Sequence, residues 1–150
     1  QANLLLDNTS IDCEYEFPEN LYPVKVDKMQ MKQVIRGLVA NAIESMDGEG
    51  VIRITAENVS IKDDLILKDG NYLKISVTDS GAGIPEENLT KVFDPYLSTK
   101  EMGSQKGMGL GLSICYSIVK KHEGLITVDS KVGVGTTFHV YIPAYESRYN

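Results

Sequence analysis

Apolar and polar positions alternate from Ile11 to Phe17, with Cys13 and Tyr15 in phase and Asp12, Glu14 and Glu16 between them. A period of two predicts a half-buried strand, and the apolar run at residues 4–6 is expected to be its pairing partner. The period then changes. Met31, Val34, Ile35, Leu38, Val39, Ala42 and Met46 recur at helical spacing, predicting a long helix that starts at an Asp27 cap and ends at Met46. Asp47-Gly-Glu-Gly50 stops it, and residues 51–59 and 72–79 read as a hairpin joined by the polar stretch around Asp63 and Asp64. Residues 80–107 hold many loop formers and little periodicity, a long connection of the kind that usually carries function. A second helix is predicted over 108–122, with Met108, Leu112, Cys115, Ile118 and Val119 on its apolar side and Gly124 as its stop. Strands 125–130 and 136–142 follow, meeting at the turn 131–135, with Pro143 closing the sheet. Strands grouped towards the two ends, with two helices able to cover one face, predict an α+β two-layer sandwich around a mixed sheet, in one domain over 1–150.

Composition narrows the function more than the fold. With 150 residues, 42% apolar and 24% charged, the chain is an ordinary globular domain able to build a core without metals or cross-links. Twenty-one acidic residues against 15 basic ones give a net charge of -6, which argues against nucleic acid as a partner. Cys13 and Cys115 form no Cys-x-x-Cys pair, so neither a zinc knuckle nor a redox motif is expected and a reducing cytoplasm suits both. No apolar run approaches the roughly 18 residues of a membrane helix, so this domain is expected to be soluble and to make no membrane contact. It begins at Gln1 rather than methionine, which leaves room for neighbours upstream.

Three segments have chemical potential. Residues 107–112, Gly-Met-Gly-Leu-Gly-Leu, set alternating glycines at a helix start, where free N–H groups and the positive dipole end receive phosphate. A flexible helix entry explains the same run, which is neither a P-loop nor a complete dinucleotide fingerprint. On the strand before the long loop, Leu73, Ile75 and Val77 share a face and Asp79 comes next in that series, so a carboxylate is aimed inwards. Burying it costs several kcal/mol (~) unless a donor answers, and an exocyclic amino group would do so. An aspartate capping its own Asp-Ser-Gly turn is the alternative. Thr136 stands at the inner end of another apolar row, with Phe138, Val140 and Ile142. His139 and Tyr141 point the other way, as surface residues, and His122 suits a dipole partner at a helix C-terminus. On the first helix Gly37, Asn41 and Glu44 border the apolar stripe, where the Asn41 amide oxygen could meet a cation. Taken singly, Asn41 is more simply read as a solvated edge residue and Glu44 as a plain surface charge.

In order and in detail, these segments resemble the nucleotide-binding motifs of the sensor histidine kinase catalytic domain, in the superfamily that also holds gyrase, MutL and the large heat-shock chaperone. Gln33-Val-Ile-Arg-Gly-Leu-Val-Ala-Asn41-Ala-Ile-Glu44 is similar to the N box, Asp79-Ser-Gly-Ala-Gly-Ile-Pro85 to the G1 box, and Val92-Phe-Asp-Pro-Tyr-Leu-Ser-Thr-Lys100 to the F box. Residues 107–112 are similar to the G2 box, and the likeness continues through Ser113–His122 to Gly133-Val-Gly-Thr-Thr-Phe138. The resemblance implies a Bergerat-type ATP-binding sandwich. Asn41 would hold the magnesium that bridges the ATP phosphates, and Asp79 would accept from the adenine amino group. Gly81 and Gly83 would let backbone pass the base, Ile84 would line its pocket, and Thr136 would help hold a water beside Asp79. Lys100 and the amides of Gly107, Met108, Gly109, Leu110, Gly111 and Leu112 would attend the phosphates, under a mobile lid of residues 95–106 anchored by Phe93.

The sequence departs from that pattern in two places. Four residues before Asn41, where these kinases often have asparagine and gyrase-type ATPases a water-activating glutamate, stands Gly37, so efficient hydrolysis is not expected. Three residues after Asn41, where many members have a phosphate-directed lysine, stands Glu44, which the resemblance still places among the cofactor-binding positions. No His-Glu segment followed by a helical hairpin is present, so the phosphoacceptor histidine and catalytic base are expected outside this chain. The implied activity is donation of the γ-phosphate of Mg-ATP to a histidine on an upstream dimerisation domain of a cytoplasmic, homodimeric two-component kinase, which then passes it to the receiver domain of a response regulator. A transfer-inactive nucleotide-sensing module and an ATPase of the same superfamily are the rivals. An anti-sigma serine kinase is a nearer cousin, disfavoured by the F box and long lid.

Overall fold

The structure is a computed structural model that describes residues 10–94 and 108–145, with backbone alone at 108–110. Among the described residues five strands and three helices follow in the order β1 (Ser10–Glu16), α1 (Lys28–Ser45), β2 (Glu49–Ile61), β3 (Gly70–Asp79), α2 (Glu86–Leu89), α3 (Met108–Lys121), β4 (Leu125–Lys131) and β5 (Gly135–Pro143). They build one sheet in the order β1-β2-β3-β5-β4. Only β1 and β2 run parallel, and every other pair is antiparallel. This is the mixed, open α+β sheet that the pattern predicts. The partner found for β1 is β2, and the proposed partner at residues 4–6 lies outside the described residues. A parallel pair needs a crossover too long for a tight turn, and α1 supplies it.

Asp27 caps α1 as expected, its Oδ1 accepting from Gln30 N at 3.0 Å. Val34, Leu38, Val39 and Ala42 of α1 and Leu112, Cys115, Ile118 and Val119 of α3 are buried against the sheet's Ile52, Val77, Phe138, Val140 and Ile142. Each aliphatic or aromatic side chain so buried contributes about 1.5–3 kcal/mol. Phe93, between α2 and the undescribed residues, packs on Tyr116 and Phe138 with ring centroids 5.0 and 6.0 Å away. That ties the N-terminal end of the F-box-like segment to the core.

Two details differ from expectation. Glu123, not Gly124, adopts the left-handed conformation (φ 63°) that ends α3. Gly124 is small for a different reason: a Cβ there would collide with the Tyr141 carbonyl of β5. His122 meets the C-terminal end of α3 as expected and also bridges to α1. Its Nδ1 lies 2.8 Å from the Ile118 carbonyl, and its Nε2 accepts from Asp27 N at 3.1 Å, so the proton sits on Nδ1 and the end of α3 is tied to the start of α1. His139, expected at the surface, has a side chain only 16% exposed. It stands between Ser76 Oγ (2.8 Å) and Asp129 Oδ2 (3.0 Å) on the face of the sheet away from the helices.

Candidate nucleotide site

Three neighbouring strands end their covered-face apolar rows on a polar residue. Ile75 and Val77 lead to Asp79, Val140 and Phe138 to Thr136, and Ile126 and Val128 to Ser130. The register sets these three ends side by side, with Asp79 opposite Thr136 and Thr136 opposite Ser130. Asp79 is 4% and Thr136 3% exposed, so the inward phase read from the sequence is the observed one. Ser130 carried the same signal, an apolar row ending in a hydroxyl, and sequence reasoning missed it because only two of the three rows were followed to their ends.

Asp79 does cap its own turn, with Oδ1 accepting from Gly81 N at 2.8 Å. The turn does not exhaust it. An ionised carboxylate has about four acceptor sites, and the donors beside it are the Gly81 and Thr136 N–H groups and the Ser45 hydroxyl, which already donates to the Ala42 carbonyl at 2.9 Å. Burial pushes the Asp79 pKa up, and those donors only partly counter it. The result is a buried acid with acceptor capacity to spare.

The loop after Asp79 is held from both sides. Ala82 N donates to Ser45 O at the end of α1, Gly133 N to Ala82 O, and Ile84 N to Ser130 Oγ at 2.7 Å. Gly81 and Gly83 are required by these contacts with protein. A Cβ at Gly81 would strike Ser45, and one at Gly83, whose φ is +82°, would strike the Lys131 backbone carbonyl. Ile84 is buried in the core cluster.

Asn41 lies on the same helix as Ser45, 9% exposed, whereas Glu44 is exposed to solvent. Gly37 has a packing contact: a Cβ there would sit 2.6 Å from Cys115 Sγ, so a larger residue would require that thiol to move, while Gly111 O stays at an ordinary 3.8 Å. Burial raises the Cys115 thiol to about 11, leaving it an inert filler of that contact. A cleft of about 650 Å³ runs along α1 past Gln33, Arg36, Gly37, Ala40 and Gly111.

A helix that starts at Met108 leaves the amides of its first turn without intrahelical acceptors, which suits Met108, Gly109 and Leu110 as phosphate donors. Leu112 stands further along the helix. Its N–H falls in the second turn and its side chain, 1% exposed, is core. Gly111 likewise sits past the first free amides. Lys100, Gly107 and the lid at 95–106 lie outside the described residues.

Residues 26–146 match the family described as histidine kinase-, DNA gyrase B-, and HSP90-like ATPase. The sensor kinase CckA of Brucella abortus (strain 2308) is 39% identical over 138 residues, covering 89% of this chain and 14% of that protein. Sporulation kinase C of Bacillus subtilis (strain 168) is 35% identical over 142 residues, covering 95% of this chain and 30% of that one, so the chain spans less than a third of either relative. The catalytic domain of histidine kinase ThkA, in a nucleotide-free form, matches at 36% identity with a TM-score of 0.68, over 89% of this chain and 79% of that one. Full-length ShkA in complex with AMPPNP matches in fold, with a TM-score of 0.76 at 21% identity. The chain belongs to the histidine kinase-, DNA gyrase B- and HSP90-like ATPase family, as a sensor histidine kinase ATP-binding catalytic domain.

Proposed function

We propose that this domain binds Mg-ATP with adenine against Asp79 and hands the γ-phosphate to a histidine on a separate dimerisation domain of the parent kinase. The buried Asp79 carboxylate, with spare acceptor sites at the floor of an apolar wall, carries the reading. It suits the adenine amino group and would repel the guanine carbonyl. Ile84 would flank the base, and the Thr136 hydroxyl would share a water with Asp79. The first-turn amides of α3, with Lys100 and Gly107, would face the phosphates.

Magnesium fits the donors present. Among the described residues no group of three acidic, histidine or cysteine side chains could hold a metal by itself. Magnesium of nucleotide sites is commonly held by one or two protein oxygens plus phosphates and water, and the Asn41 amide oxygen is such a ligand. Bound there, the ion would neutralise phosphate charge as the bond to the leaving oxygen lengthens. The chain's own part is to position the nucleotide and exclude water.

Hydrolysis is disfavoured by Gly37, which offers no side chain to act as a base at that position. The acceptor histidine, its base and the receiver domain that takes the phosphoryl group onward lie on other domains in this proposal, in a parent working as a cytoplasmic homodimer. A radiolabelled ATP time course, on the domain alone and mixed with the parent's dimerisation domain, tests it. Label that appears only in the mixture, on the partner, and that acid removes is the expected result. Rapid phosphate release by the domain alone, or acid-stable label on it, would overturn it in favour of an ATPase or a serine kinase.

A further inference from the structure

The Ser130 hydroxyl makes three contacts with a single proton. It accepts from Ile84 N at 2.7 Å, lies 3.0 Å from the Gly135 carbonyl, and lies 2.7 Å from Thr136 Oγ1. A carbonyl can only accept, so the Ser130 proton goes to Gly135 O. Ile84 N–H can only donate. All three contacts are hydrogen bonds at once only when Thr136 is the donor between the two hydroxyls, and that is the arrangement the geometry points to. The Thr136 proton is then committed to Ser130, away from the site, and its free lone pairs are all that it can offer to anything beside Asp79. Asp79, its direct partner across the β3–β5 register, is an acceptor as well.

We propose that Ser130 is a specificity-determining positioning residue: by taking the Thr136 proton, it makes the floor of the base pocket an acceptor-only surface that admits an amino group at position 6 of a purine and rejects a carbonyl. The inference rests on the adenine site proposed above and adds to it a residue that touches neither nucleotide nor metal. Without Ser130, the Thr136 proton has two other destinations, the Asp79 carboxylate or a ligand carbonyl. The first fills an acceptor site that the amino group would use, and the second welcomes the wrong base. Either way discrimination falls. The loss of an acceptor for Ile84 N–H, by contrast, would loosen the loop for every purine alike.

The test compares ATP with inosine triphosphate, which carries a carbonyl at position 6, by calorimetry on the wild-type domain, Ser130→Ala, Ser130→Thr and Thr136→Val, and on the Ser130→Ala/Thr136→Val double variant. Thermal melts confirm that each is folded. Ser130→Ala is expected to shrink the ATP-over-inosine triphosphate preference by about tenfold, the scale of one hydrogen bond to a charged or strongly polar group. Ser130→Thr, which keeps the hydroxyl, should retain the preference. In the Thr136→Val background, Ser130→Ala should leave the ratio where Thr136→Val put it, because the effect runs through the Thr136 proton. Equal weakening of both nucleotides by Ser130→Ala, or an undiminished change of ratio in the Thr136→Val background, would overturn the proposal while leaving the ATP site intact. A wild-type domain that binds neither nucleotide, or both equally, would overturn the adenine site and this inference with it.

Discussion

Strands β3 and β5 carry polar side chains on both faces of the sheet, and the two faces use them differently. On the open face Ser76 meets His139, Thr78 Oγ1 meets Thr137 Oγ1 at 3.0 Å, and His139 meets Asp129, whose side chain is 80% exposed. Donors and acceptors there answer one another, and the remaining charge faces water. On the covered face, one residue along each strand, Asp79 and Thr136 lie beneath α1 among Ile52, Val77 and Phe138. Their neighbours leave acceptor sites over. A polar row that closes on itself is structure, whereas one with acceptors left over under an apolar wall is suited to a ligand that brings donors.

The contrast is tested most severely where backbone frames the covered face. Gly83→Ala places a Cβ at φ +82° and against the Lys131 carbonyl, neither of which can yield cheaply. It should lower stability by about 2–5 kcal/mol, combining the left-handed penalty with overpacking. Chemical denaturation reads the loss, and ATP affinity should fall with it as the loop leaves Ser130.

Asp79→Asn separates binding from stability. ATP affinity should weaken by about 1.5–3 kcal/mol, the scale of a hydrogen bond to a charged acceptor. The nucleotide-free domain should not be destabilised at neutral pH. Because the folded pKa of Asp79 is raised, the native state holds the proton more tightly than the unfolded chain does. Stability therefore falls as pH climbs from 3.8 through the folded pKa. An amide cannot lose a proton and removes that slope. Calorimetry together with denaturant melts at several pH values checks both halves, and equal ATP affinity in the two proteins would remove Asp79 from the site.

On the open face, Ser76→Ala deletes one partner of a closed hydrogen-bond chain. A stability loss of about 0.5–1.5 kcal/mol is expected, with ATP affinity unchanged. A change in affinity would mean that the two faces are coupled through the strand, and the contrast between them would not hold.

Much of this was legible in the chain, for reasons particular residues make plain. Period-two phase carried Asp79 and Thr136 inwards and period 3.6 gave α1 its Asp27 cap, because both signals are local and burial enforces them. The β1–β2 pairing was not legible, since a parallel partner lies across a whole helix and no turn residue announces it. Gly37 showed as a departure from a motif, but its packing partner, Cys115, is 78 residues further along the chain and on another helix. His139 points outwards in strand phase and yet is not wet. Ser76 and Asp129 on the flanking strands partly enclose it, and strand phase alone does not reveal neighbours across a sheet.

His139 gives the smallest effect, and its sign distinguishes the faces. Burial lowers its pKa first and the nearby Lys74 charge lowers it further, against the opposing pull of Asp129 and Glu57. The folded state therefore resists protonation that the unfolded chain accepts. Above 6.5 neither state is charged and His139 has no influence, but as pH falls from 6.5 through the folded pKa the unfolded chain binds the proton first and stability declines. Asp79 acts in the opposite direction, lowering stability as pH rises from 3.8. Both shifts begin with burial, which favours the neutral form, and an acid and a base respond to that with opposite slopes. Nucleotide should separate them. A bound amino group favours ionised Asp79 and should flatten its slope, while the His139 slope, on the face away from Asp79, should be the same with and without Mg-ATP. His139→Gln should abolish that second slope at a cost below about 1 kcal/mol at neutral pH, the scale of one exchanged side-chain hydrogen bond. Denaturant melts across pH 5 to 8 (~), with and without nucleotide, measure it against the histidine range. A His139-dependent slope that changes when nucleotide is added would show that the sheet transmits occupancy from one face to the other.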